Sequence, residues 1–269
     1  MKTIIISVSH NENRIPSDTG CLPVMAGSAL VNTVIPADYM RDDSGDNISY
    51  KNREYCELTA LYWAWKNLDA DILGICHYRR FFASPQHRNK LLSEDEAMHL
   101  LNYYDVILPA ARDYFVETNY QQYIHSHHTE DLALTRSIIS ERYQEYLESY
   151  DRRMAMTKGH RFNMFIMKRT LLDEYCSWLF DILFELEKRL DISHYSENDQ
   201  RVFGFVAERL LDVWLDKNDI RSAEIGYVFC GDEHLVMKAA AMICRKIKGT
   251  YKKQHRKNHG KNCGDNRNT

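Results

Sequence analysis

The apolar positions of this chain switch repeatedly between two periods. Thr3 to Ser9 is β-branched and apolar and reads as a first strand. Ile72 to Cys76 is a second short apolar run, the pattern of a strand buried on both faces. Further strands are expected over Tyr104–Pro109, Arg161–Lys168 and Ser222–Phe229. Between them the period lengthens to that of a helix. Tyr55, Leu58, Thr59, Tyr62 and Trp65 fall on one face of a helix expected from about 51 to 67, with Ser49 or Asn47 as its N-cap. Other helices are expected at 93–102, 129–150, 170–190 and 199–216. The first opens on Ser93-Glu94-Asp95-Glu96 and the third on Thr170 with Asp173 three residues on, both resembling capping boxes. Residues 14–47 read as loop, with Met25–Val34 as their one short helix, and 113–128 show no clear period. Strands interleaved with helices predict an α/β fold.

The aromatic stripe on the first helix is what core packing requires. The polar positions carry more information. After Cys76 the chain turns abruptly to His77-Tyr78-Arg79-Arg80. These side chains leave a buried strand end, and α/β sheets bind ligands in the crevice outside their carboxyl ends. Paired arginines hold phosphate oxygens bidentately, although surface ion pairs would use them equally well. His10 follows the first strand in the same way. Asn47, Ser49, Lys51 and Asn52 cluster at a helix N-terminus, where free backbone N–H groups favour anions. Asp69-Ala70-Asp71 has the form of a metal-binding D-x-D, but it precedes its strand and so lies at the wrong edge of the sheet. His125, His127 and His128 lack the spacing and the carboxylate of a metal site. Arg201 and Glu208 are polar exceptions on an otherwise apolar helix and share a face, as a structural ion pair also would.

Composition adds two constraints. Seven scattered cysteines without a C-x-x-C pair argue against a disulfide framework and a cysteine zinc site, and fit a reducing cytosol. No run reaches the roughly 18 apolar residues of a membrane span. Charge is uneven. Residues 234–269 carry ten Lys or Arg against one acid, a net +9, whereas the remainder carries 25 against 37, a net -12. From 235 to 251 the apolar residues keep helical spacing, which predicts a basic amphipathic helix suited to an anionic membrane surface. The acidic body speaks against nucleic acid as partner.

Taken together, Asp46-Asn47-Ile48-Ser49, Lys51-Asn52, Glu57-Leu58-Thr59-Ala60, Tyr62-Trp63, Trp65-Lys66-Asn67, Gly74 and His77-Tyr78-Arg79-Arg80 form a linked pattern. Glu130-Asp131-Leu132, Asn163-Met164-Phe165, Trp178-Leu179-Phe180, Arg201-Val202-Phe203-Gly204-Phe205 and Glu208-Arg209-Leu210-Leu211 continue it. Over roughly residues 3–230 the chain resembles the bacterial capsular and exopolysaccharide glycosyltransferases long filed as a domain of unknown function. The resemblance implies a GT-A-like (Rossmann-like) mixed sheet flanked by helices, as residues 1–233; charge and spacing add the basic helix and tail, 234–269. It implies a hexosyltransferase using a nucleotide-sugar donor, a UDP-sugar with galactose in either ring form as one guess. The acceptor would be a lipid-linked glycan, at the cytoplasmic face of the membrane. Donor contacts would come from His10, Asn47, Ser49, Asn52, His77, Arg79 and Arg80. Acceptor contacts would come from His128, Asn163 and Arg201, and the base from Asp131 or Glu208. No metal ligands are assigned. Mg or Mn stays an option, because the arginines could neutralise the leaving diphosphate in its place. The alternatives are a non-catalytic sugar- or nucleotide-binding protein on the same fold, and a histidine-metal hydrolase.

Overall fold

The structure is a computed structural model that describes residues 1–10, 15, 19–32 and 34–230. Its framework is a nine-stranded mixed sheet. In chain order, β1 is Thr3–Ser9, β2 Leu22–Met25 and β3 Met40–Arg41. Helices α1 (Asn52–Tyr55) and α2 (Leu58–Asn67) lead into β4 (Ile72–His77) and β5 (Arg80–Phe82). There follow α3 (Glu94–Leu101), β6 (Val106–Pro109), β7 (Arg112–Asp113), α4 (Asn119–Ile124), α5 (Thr129–Arg142) and α6 (Leu147–Ala155). Then come β8 (Lys158–Gly159), β9 (Phe165–Lys168), α7 (Arg169–Arg189), α8 (Val202–Lys217), β10 (Ser222–Ile225) and β11 (Tyr227–Phe229).

The main path runs β10-β6-β9-β4-β1-β2-β3. All neighbours on it are parallel except around β9, which is antiparallel to both β6 and β4. Strand β5 folds back on β4, and β11 pairs with β5; β7 and β8 form a separate ribbon. The pleat sorts side chains to two cores. Ile6, Val8, Leu73, Ile75, Phe165 and Met167 join the core under α2, α7 and α8. Ile72, Cys76, Ile107 and Ile166 join the smaller core that takes Ala97 and Leu101 from α3. Gly74 sits where these layers come closest: a Cβ there would lie 2.8 Å from Ile166 Cγ1 and 3.2 Å from Ile5 Cγ1.

The mixed α/β architecture expected from the sequence is the one observed, and the departures from it have local causes. The helix expected over 51–67 is broken, because Cys56 takes φ +52° and ends α1 after one turn. The helix expected over 25–34 is strand β2 and a single 3-10 turn, Ser28–Leu30. The helix expected over 129–150 stops at Tyr143 (φ -142°) and restarts as α6. Strand β9 begins only at Phe165, because Phe162 and Asn163 both take positive φ, +76° and +50°. Residues 119–124 form a helix where no period was legible. Its signal was the box Thr118-x-x-Gln121, whose two reciprocal hydrogen bonds are 3.1 and 3.0 Å. Among the described residues no helix is long and apolar enough to cross a membrane. The basic helix expected over 235–251 lies outside the described residues.

Candidate active site

A cavity of about 490 Å3 opens at the carboxyl edge of β1 and β4. The strand ends give it Val8, His10, His77, Tyr78 and Arg80; the α1–α2 corner gives Asn52, Arg53, Cys56 and Glu57. Arg201, Gly204, Phe205 and Glu208 close it from the start of α8, and Phe162 from the turn before β9. The sheet therefore delivers the polar stretch after β4 into a crevice at the edge where open α/β sheets bind ligands.

The turn Phe162–Asn163 is the hub of this wall. Two consecutive non-glycine residues with positive φ cost of order 1–3 kcal/mol each and need outside support. His77 Nε2 donates to the Phe162 carbonyl at 2.5 Å, which places the imidazole proton on Nε2. The Phe162 N–H donates to Glu208 Oε1 at 3.0 Å. Asn163 Nδ2 donates to Glu57 Oε1 at 2.7 Å and to the Gly204 carbonyl at 3.2 Å. The Arg80 guanidinium lies 4.4 Å over the Phe162 ring. Gly204 lets α8 approach the broken corner: a Cβ there would sit 3.4 Å from Cys56 Cβ.

The charge balance of the cavity is cationic. Among the described residues none of Arg53, Arg80 and Arg201 forms an ion pair, while two carboxylates, Glu57 and Glu208, face them. Arg201 Nε donates instead to Cys56 Sγ at 3.1 Å. Burial, then the Glu57 charge, push the Cys56 thiol up to about 12, so it stays neutral. Burial, then Arg201, His77 and Arg79, hold the His10 imidazole below its ordinary value. Among the described residues these guanidiniums thus lack an ion-pair partner, although Glu57 and Glu208 act on Arg201 through space.

Of the twelve residues singled out in the sequence, the cavity gathers six: His10, Asn52, His77, Arg80, Arg201 and Glu208. Arg79 is exposed, its guanidinium 4.9 Å from the Tyr78 ring centre. Ser49 is fully buried against Asp42, and the Asn47 side chain closes a local turn by accepting from the Ser49 N–H. Neither lines the cavity, and Lys51 pairs with Glu187 at 2.6 Å. Asn163 lies behind the wall. His128 stacks on Tyr195 at 3.8 Å, away from the cavity. Asp131 is 1% exposed and also outside it; Tyr123 and Tyr195 donate to its two oxygens at 2.8 and 2.7 Å. Burial raises the Asp131 carboxyl above its ordinary value. Glu208 pairs with Arg209 at 3.3 Å, and among the described residues no ion pair joins it to Arg201. Glu57, Arg53 and Phe162 were not assigned a role from sequence. For Glu57 a signal existed, since it stands one residue before the apolar face of α2 begins.

The histidine cluster divides, with His127 and His128 both beside Asp199 and His125 apart from them. His125 pairs with Glu117 at 3.0 Å, while His127 pairs with Asp199 at 3.3 Å and stacks on Phe205. No group of three His, Cys, Asp or Glu among the described residues could hold a metal ion. Asp71 caps the opposite edge of the sheet, accepting from the Lys2 N–H at 2.7 Å. Each of the cavity's two carboxylates accepts a hydrogen bond on Oε1, and three guanidiniums share the space.

The fold is a mixed α/β sheet flanked by helices, with a crevice lined by three guanidiniums and two carboxylates at its carboxyl edge. The chain belongs to the family described as a domain of unknown function, DUF4422, whose profile matches residues 4–219. It is similar to the apo structure of the bifunctional glycosyltransferase WbbM, with a TM-score of 0.79 and 27% identity. That match covers 87% of this chain and 46% of the other, so the chain spans about half the length of that relative. No curated protein matches it.

Proposed function

We propose that this chain is a glycosyltransferase, GT-A-like in fold. It moves a sugar from a nucleoside diphosphate donor, a UDP-sugar in the first instance, to a lipid-linked glycan during surface polysaccharide synthesis. The observation that carries the reading is the cavity at the β1–β4 edge, where Arg53, Arg80 and Arg201, none of them in an ion pair among the described residues, stand beside His10 and His77. Loss of a nucleoside diphosphate develops negative charge on the leaving oxygen, and preorganised cations lower that barrier. The similarity to a glycosyltransferase supports the same reading. Arg80 and Arg201 are the proposed diphosphate contacts, in a cavity that Phe162 and Phe205 also line. Arg79, on the rim, adds field rather than contact. The acceptor hydroxyl needs a base; of the two carboxylates expected from sequence Asp131 lies outside the cavity, and the cavity's own carboxylates are Glu57 and Glu208. The basic segment after residue 233 is proposed to hold the enzyme at the inner face of the membrane.

A panel of nucleotide-sugars offered with a glycan-lipid extract tests the reading through release of free nucleoside diphosphate. Turnover is expected with at least one donor, and Arg80→Ala should lower it by about 10²-fold or more. Binding of a nucleotide-sugar without any release would favour a non-catalytic binding protein. An Arg80→Ala variant as active as the wild type would remove Arg80 from the leaving-group site.

A further inference from the structure

Two carboxylates reach the cavity, and they are not equivalent. Glu208 has both oxygens engaged: Oε1 accepts the Phe162 N–H at 3.0 Å, and Oε2 accepts Arg209 Nη1 at 3.3 Å. Arg209 is itself 5% exposed, packed behind the cavity wall. A carboxylate with one oxygen on a backbone amide and the other on a buried guanidinium has neither oxygen free for an acceptor hydroxyl. Arg209 forms no other ion pair among the described residues. Glu57 is held differently. Its Oε1 accepts from the Asn163 amide at 2.7 Å, a neutral donor, and among the described residues its Oε2 takes no hydrogen bond. It stands at the amino end of α2, half-buried in the cavity wall. One oxygen is thus fixed, and the residue lines the cavity where substrate would sit.

The fixing is elaborate for a surface glutamate. Asn163 holds Glu57 from a left-handed backbone position, itself anchored by a second bond to the Gly204 carbonyl at 3.2 Å. The preceding residue, Phe162, is gripped on its N–H by Glu208 and on its carbonyl by His77. Glu208, His77 and Asn163 therefore brace one turn, and that turn aims Glu57. On the other flank Cys56 holds the reversed corner from which Glu57 starts, with Arg201 Nε on its sulfur at 3.1 Å.

Resting on the glycosyltransferase reading, we infer that Glu57 is the catalytic base and that Glu208 and Asn163 are positioning residues. Glu57 Oε2 takes the proton of the acceptor hydroxyl as that oxygen attacks the anomeric carbon. The bond from the anomeric carbon to the diphosphate oxygen breaks, and its electron pair leaves with the nucleoside diphosphate at the cationic wall. One C–O bond forms as one breaks, the proton rests on Glu57 until water removes it, and no redox partner is required. A single displacement of this kind inverts the anomeric centre.

The test uses the full chain and the donor that the wild type turns over. Glu57→Gln keeps the size of the side chain and an oxygen for Asn163. It should lower kcat by about 10²- to 10⁴-fold, the range of a lost general base. Its affinity for the released nucleoside diphosphate should stay within about threefold of wild type. The acidic limb of the wild-type kcat/KM profile should be absent from its residual activity. Glu57→Asp retains a carboxylate one methylene shorter and should fall between the two. Asn163→Ala should lower kcat while leaving the acidic limb in place, the behaviour of a residue that aims the base. A Glu57→Gln kcat within threefold of wild type overturns the assignment, as does retention of the acetal configuration in the product. A wild type that turns over no donor fails earlier, and it is the glycosyltransferase reading that fails.

Discussion

Asp131 shows how one buried carboxylate can join distant parts of a chain. It sits on α5, yet its oxygens bind Tyr123 on α4 and Tyr195 beyond α7, 64 residues away. Each hydrogen bond to a charged acceptor contributes about 1.5–3 kcal/mol, and an orphaned buried hydroxyl costs more. Asp131→Ala is therefore expected to destabilise the fold by about 3 kcal/mol, read as a lower urea midpoint at unchanged slope. Asp131→Asn should cost less, since burial already disfavours the ionised carboxyl. Turnover per folded molecule should stay near wild type in both. A 10²-fold loss in a variant that melts normally would return Asp131 to the chemistry. From sequence Asp131 and Glu208 looked alike, each an acid with no evident reason beside apolar neighbours. Pattern cannot distinguish them, because what separates them is where two tyrosines and a buried arginine arrive from elsewhere in the chain.

At the level of elements, the run Ile72 to Cys76 was legible because a strand buried on both faces has an almost purely apolar sequence. Gly74 within it is explained by its neighbours, Ile166 on β9 and Ile5 on β1. Gly74→Ala places a methyl group 2.8 Å from Ile166 Cγ1 and 3.2 Å from the Phe165 carbonyl oxygen, which belongs to the backbone and cannot rotate away. Overpacking of this kind costs about 1–3 kcal/mol, and chemical denaturation should show it. A variant as stable as the wild type would mean that β9 can slide without loss. Two of the misread elements, the helix over 51–67 and the start of β9, share one cause. Cys56, Phe162 and Asn163 adopt a backbone that glycine favours, with side chains that give no warning of it. Tertiary contacts impose those conformations, so local propensity could not supply them. They also mark the cavity: Cys56 and Phe162 line it and Asn163 stands behind it.

Across the whole molecule, the charge asymmetry sets a competition. The body of the chain carries a net -12 and residues 234–269 a net +9, so the basic segment can be drawn to the body or to an anionic membrane. Each Lys or Arg close to an anionic leaflet contributes about 1 kcal/mol, and an apolar helical face adds burial in the interface. Full-length protein is expected to sediment with anionic vesicles and not with neutral ones, and to do so less at high salt. A truncation ending at Glu233 should remain in the supernatant. Equal sedimentation of the two would refute the membrane role.

The place of β9 has a consequence for how the chain is made. It is the seam of the sheet, inserted antiparallel between β4 and β6, yet roughly 60 residues separate Pro109 from the end of β9. At a synthesis rate of about 5–20 residues per second, β4 and β6 wait roughly 3–12 s with open edges before their shared neighbour emerges. Those edges are apolar, with Ile72, Leu73, Ile75, Val106, Ile107 and Leu108 all buried in the finished protein. Bare strands of that composition pair readily with other chains. The nascent protein thus passes through a stage in which the half-sheet ending at β4 and the lone strand β6 both present apolar edges, a consequence of the strand order rather than of any single residue.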